Sequence, residues 1–180
     1  MVLALAVAPG LATAAVGAEE KILVNRDSDG LALQGYDPVA YFTDQKPVKG
    51  DPRFKAVQRG AVYHFASRAH QETFQAAPEK YEPAFGGYCG YAASINRLSP
   101  ISPEFWEVID GRLVLQHNQK ASDAWHEDRA GNLQKADTNW PGLVQRNGST
   151  AALLINTDGD GVAIEGHDPV AYFAEQRPVK

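Results

Sequence analysis

Cysteine is nearly absent from this 180-residue sequence, in which Cys89 stands alone. One thiol cannot close an internal disulfide, so stability has to come from a packed core. Cys89 itself must then be buried, functional or paired with another molecule. Long apolar runs are missing too. The most apolar stretch, MVLALAVAPGLATAAVGA, is broken by Pro9-Gly10 and gives way to Glu19-Glu20. A membrane-spanning helix needs about 20 continuous apolar residues, so no integral membrane span is expected. Lys and Arg form no run, and 17 basic against 22 acidic side chains leave a formal charge of -5 and a pI near 5.5. Nucleic acid is therefore a poor partner, because phosphate binding needs concentrated positive surface. The motifs GxSxG, HExxH and GxGxxG do not occur, and there is no Ser-His-Asp order. Nothing makes a positive case for a hydrolase or a nucleotide enzyme.

What is present is globular in character, with 44% hydrophobic and 22% charged residues, enough apolar material for a core. Residues 1–18 read as a signal peptide: a short Ala-rich apolar stretch ending in Val16-Gly17-Ala18, the small residues that export cleavage favours. A basic leading segment is lacking, since no Lys or Arg precedes Lys21. The expected location is periplasmic or secreted.

The clearest signal is a repeat. Residues 27–49, DSDGLALQGYDPVAYFTDQKPVK, align without a gap on residues 158–180, DGDGVAIEGHDPVAYFAEQRPVK, with 15 of 23 positions identical. Changes such as Leu33 to Ile164 and Lys46 to Arg177 keep chemical character. The expected organisation is one domain over 19–141, a polar linker over 142–157, and the start of a truncated second copy over 158–180.

Within the first copy the predicted elements are short. A strand covers 31–33, and Asp37-Pro38 opens a helix to Phe42, with the Asp oxygen as cap and Pro at the first helical position. Residues 54–57 and 61–65 pair across Arg59-Gly60. Ser67 caps a helix that Pro78 ends. After a further turn at 78–81 comes the glycine-rich FGGYCGYAAS, with Cys89 poised to open a helix through Ser94. Residues 105–109 and 112–115 pair across Asp110-Gly111. A helix over 118–128 and a last helical stretch to Trp140 complete a small α+β fold. Asn25, Asp27, Asp29 and Gly30 imitate a calcium loop, but position twelve is Tyr36 rather than the required Glu, so a polar turn is expected.

Tyr63-His64-Phe65-Ala66-Ser67, Phe74 and Pro78-Glu79-Lys80-Tyr81, with Asp37-Pro38-Val39 upstream, resemble the YHS domain. The longer pattern from GYDPVAYF through GGYC is similar to exported YHS proteins. The resemblance spans about residues 31–140 and implies a small YHS-like, TRASH-like α+β domain with short antiparallel hairpins and several short helices. It also implies kinship with heavy-metal modules, in which cysteines follow Asp-Pro-Val and flank the later Ser. Here Ala40, Ala66 and His70 stand at those places, so the usual thiolate cage is absent.

Three readings follow. In the first, a non-catalytic metal-binding module holds a copper or zinc ion through Cys89, His70 and His64; one sulfur and two imidazoles suit either metal by ligand type. In the second, Cys89 is a redox thiol, its thiolate favoured by free N–H groups at a helix start. In the third, Cys89 is a buried small hydrophobe in a structural or protein-interaction module. His117 and His126 have no partner at ligand spacing, and Trp106, Trp125 and Trp140 read as core and edge anchors.

Overall fold

Alternating strand and helix patterns run through the middle of the chain, and the computed structural model, which describes residues 20–150, follows them closely. In chain order the elements are β1 (Lys21–Ile22), a 3-10 turn (Leu33–Gly35), α1 (Ala40–Thr43), β2 (Asp51–Gln58), β3 (Ala61–Phe65), α2 (Arg68–Ala76) and α3 (Pro78–Tyr81). A second 3-10 turn (Ala84–Gly87) is followed by α4 (Gly90–Ser94), β4 (Ser102–Ile109), β5 (Arg112–Gln116), α5 (Gln119–Glu127), α6 (Arg129–Asn147) and β6 (Ser149–Thr150). The strands form three two-stranded antiparallel sheets, β1 with β6, β2 with β3 and β4 with β5. The class is α+β, with small hairpins and several short helices. No helix of the described residues is long and apolar enough to cross a membrane.

Several local expectations need correction. The strand expected at 31–33 is reduced to single bridges at Leu31 and Ala32, because Leu33 and Gln34 take positive φ and turn the chain away. The helix expected from Pro38 begins two residues later. The apparent calcium loop is a turn, in which Asp27 Oδ1 accepts from the backbone of Asp29 and Leu31 at 3.0 and 2.8 Å. The linker expected from residue 142 begins instead as helix, since α6 runs through Pro141 to Asn147 and β6 then pairs with β1. Leu133, Ala136, Trp140 and Leu143 keep a helical spacing across the proline, with Ala136 and Leu143 only 0% and 2% exposed. That burial offsets the hydrogen bond Pro141 removes. The proposed signal peptide and the 158–180 repeat lie outside the described residues.

The fold also contains a duplication that the spelling of the sequence hides. Leu33-Gln34-Gly35 and Phe85-Gly86-Gly87 are equivalent left-handed turns, with φ of 51, 53 and 75° against 53, 54 and 76°. Asp37 N–H donates to the Val48 carbonyl and Cys89 N–H to that of Ser99, at 2.9 and 3.0 Å. β2 and β4 have 8 residues each, and each carries a bulge between its first and fifth residues. Arg59-Gly60 and Asp110-Gly111 are matching positive-φ turns. Ser67 caps α2 through His70 N–H, and Asn118 caps α5 through Ala121 N–H. Both helices have 9 residues and bury an aromatic at the same place, Phe74 and Trp125. The sequence trace is thin: Pro52 and Pro103, Phe54 and Phe105, Val57 and Val108, Gly60 and Gly111.

The two halves share a core with β5 at its centre. Leu113 and Leu115 face one cluster with Tyr63, Phe65, Phe74 and Cys89, while Val114 faces a second with Trp125, Ala136 and Leu143. β3 is buried on one face only, the alternate residues Val62 and His64 being half-buried. The N-terminal strap is tied to the second turn by Asn25, whose N–H and side-chain amide donate to the carbonyls of Gly86 and Gly87 at 2.8 and 2.9 Å. Gly86 and Gly111 both have positive φ, but a Cβ on Gly86 would strike the Leu23 carbonyl whereas one on Gly111 meets open space. Gly111→Ala should therefore cost about 1 kcal/mol and Gly86→Ala at least about 2 kcal/mol, read from urea unfolding midpoints.

Candidate functional site

Asp37 is fully buried, and an unpaired carboxylate there would be strongly destabilising. Its Oδ1 accepts from Val39 N–H at 2.8 Å; its Oδ2 accepts from Ala66 N–H at 2.8 Å and lies 2.6 Å from His70 Nδ1. One carboxylate thus joins the Asp-Pro-Val turn to the β3–α2 corner. The expected capping role is half of what it does, since the second oxygen reaches a residue 33 positions away. Sequence reading missed the Asp37–His70 pair because an Asp before Pro at a helix start has a complete local explanation.

His70 sits in the first turn of α2 with its side chain 19% exposed. With Nδ1 held by Asp37, Nε2 is the ring nitrogen left for another partner. Nε2 lies 3.9 Å from Asp44 Oδ1, just past the end of α1. The equivalent residue of the second half is Ala121, so the frame closes there without an imidazole.

His64 is placed differently. It points to the face of β3 opposite Tyr63 and Phe65 and packs beside Gly35 and Gly50. Burial, then the charges of Lys55 and Lys49, hold its pKa below the ordinary imidazole range.

Cys89 is 0% exposed, at the cap of α4 against β5. Its thiol donates to Gln116 Oε1 at 3.2 Å and its sulfur accepts from Ala92 N–H at 3.5 Å. Burial pushes the thiol pKa up, and the N–H groups of Ala92, His117 and Tyr91 oppose this only in part. The helix start is as expected, but desolvation outweighs it, which is the reverse of what an activated thiolate needs.

The three expected ligands do not assemble: among the described residues no three His, Cys, Asp or Glu side chains form a group able to hold a metal ion. His117 and His126 are exposed, and Trp125 is core, as expected. A separate cleft of about 260 Å³ lies between the N-terminal strap and α6, with Phe85 and Trp140 among its walls and Arg59 and Glu82 at one side. Neither His70 nor Cys89 lines it. No family model, curated protein or solved structure matches the chain.

Two outcomes follow from these environments. Asp37→Ala leaves Val39 N–H, Ala66 N–H and His70 without their acceptor and should cost about 3 kcal/mol in denaturant unfolding. The raised thiol pKa means that the unfolded chain releases its proton first. The stability linked to Cys89 is then full below its ordinary value of 9.0 and is lost as pH rises above it. Cys89→Ala should flatten the alkaline limb of a melting-temperature profile while leaving its acid limb unchanged.

Proposed function

We propose that the chain is an extracytoplasmic, YHS-like, non-catalytic binding module whose metal-facing residue is His70. The observation that carries this reading is the orientation of the imidazole, with Nδ1 tied to the buried Asp37 and Nε2 turned toward Asp44 at the surface. A carboxylate behind a histidine fixes the tautomer and strengthens the far nitrogen as a ligand. The absence of an imidazole from the equivalent place in the second half marks His70 as additional to the frame.

His70 Nε2 and Asp44 would hold the ion as a two-ligand site, completed by water or by donors of a partner protein. An imidazole and a carboxylate suit Zn(II) or Cu(II) better than Cu(I). Cys89 and His64 are not ligands in this reading. A second reading is favoured by the burial of Cys89: a structural or protein-interaction module with an inert thiol, in which His70 only clamps Asp37.

Titration of Zn(II) and Cu(II) into the full chain, followed through the His70 ring resonances, separates the two. Metal binding predicts one weak site, at least tenfold weaker in His70→Ala, several-fold weaker in Asp44→Asn and unchanged in Cys89→Ala. Equal binding by wild type and His70→Ala, with a lowered melting temperature in the variant, would establish the clamp instead.

A further inference from the structure

The duplication sets Cys89 at the position that Asp37 occupies in the first half. Around Asp37 the two carboxylate oxygens take Val39 N–H, Ala66 N–H and His70. Around Cys89 the equivalent backbone N–H groups are those of Tyr91 and His117, which help to hold the thiol pKa down, but the hydrogen bond to the sulfur comes from Ala92 N–H at 3.5 Å. A thiol is a weak acceptor for such a set. The third donor also has a counterpart. Where the first half has His70 the second has Ala121, but where the first half has Phe65 the second has Gln116, 2% exposed. Gln116 Oε1 accepts from the Cys89 thiol and from Tyr91 N–H at 3.0 Å, while Nε2, packed against Gly90, has no partner among the described residues. An unpaired buried donor calls for an explanation.

We infer that Cys89 is an oxidative modification site whose stable product is the sulfinate, held in a cradle built for a two-oxygen anion. A cysteine sulfinate carries two oxygens and one negative charge where aspartate carries its carboxylate. Two equivalents of a hydroperoxide supply the oxygens. In the first step the sulfur attacks one peroxide oxygen, the O–O bond breaks, and sulfenic acid and water (or the parent alcohol) are formed, the thiol proton leaving with the departing oxygen. The second step repeats this on the sulfenic sulfur, and the sulfinic acid then loses its proton to solvent. With no S–H left to donate, the Gln116 amide turns over. Nε2 meets one sulfinate oxygen, and Tyr91 N–H is released to the other, as Val39 N–H serves Asp37. Because the sulfur is buried, the reaction proceeds through local opening and is slow, and the product records exposure to oxidant rather than turning over. The inference does not depend on whether His70 binds a metal.

The full chain is treated with millimolar hydrogen peroxide and followed by intact and peptide mass, near-ultraviolet circular dichroism and thermal melting. The expected product gains two oxygen atoms at Cys89, keeps its aromatic dichroism, and melts no lower than the untreated protein. Gln116→Leu removes the acceptor of Tyr91 N–H from the reduced protein as well, so it should lower the melting temperature in both forms, by about 5 °C more in the oxidised pair than in the reduced pair. Cys89→Asp, the carboxylate counterpart, should fold, whereas Ala93→Asp, at another 0%-exposed position of α4, should not. The inference is overturned if native protein, exposed to peroxide for many times the lifetime of the thiol in the urea-unfolded chain, stays unreacted, stops at the sulfenic acid or runs on to the sulfonate. It is equally overturned if oxidation unfolds the wild type, or if Cys89→Asp is tolerated no better than Ala93→Asp.

Discussion

The buried carboxylate of Asp37 is the constraint around which the first half of the domain is arranged. A carboxylate removed from water is tolerable only when its lone pairs are met by well-placed donors. Val39 N–H, Ala66 N–H and His70 meet it, each bond to a charged group contributing about 1.5–3 kcal/mol. Two of the three donors come from the β3–α2 corner, so satisfying the charge fixes the Asp-Pro-Val turn against that corner. A local turn motif and a distant strand–helix junction become one unit through a single side chain.

The second half builds the same joint with different chemistry. Cys89 replaces Asp37, Gln116 replaces Phe65 and Ala121 replaces His70, so the added polar partner moves from the helix to the strand. The change fits where each half sits. β5 is enclosed on both faces, with Leu113, Val114 and Leu115 all 0% exposed, and a titrating imidazole there would lose its hydration. β3 has one half-buried face and its following helix reaches the surface. The outer half can therefore carry an accessible histidine, while the inner half carries a neutral thiol and an amide.

Local chemistry made much of this fold legible. The turns at Arg59-Gly60 and Asp110-Gly111, and the caps Ser67 and Asn118, are decided by residues next to one another, and the hairpins and helices they bound stand where the sequence puts them. The turns at Leu33-Gln34 and Phe85 escape notice because non-glycine residues there take positive φ, a cost the surrounding contacts must offset. The continuation of α6 past Pro141 depends on burial of Leu143, which no local rule reports. The internal duplication preserved backbone geometry while most side chains changed. As for the site, residue type correctly marked Cys89 as the cap of α4 and His70 as near Ser67. It could not supply distance, and ligand chemistry without distance produced a triad that the fold does not bring into one metal group.

What surrounds the Cys89 sulfur discriminates among the roles a lone thiol can play. A metal needs at least a second ligand within bonding distance, but the sulfur's hydrogen-bond partners are Ala92 N–H and Gln116 Oε1, with the N–H groups of Tyr91 and His117 acting on its pKa. N–H groups present their positive ends and favour an anion over a cation. Yet the same burial that gathers them desolvates the thiolate, and desolvation prevails, so the reduced group stays neutral. An anion with its charge spread over two oxygens alters that balance. Each oxygen can reach donors that the sulfur meets only weakly, and the orphaned Gln116 Nε2 gains an acceptor. The aspartate in the equivalent place of the first half indicates that this backbone geometry can hold such a charge in the interior of the protein.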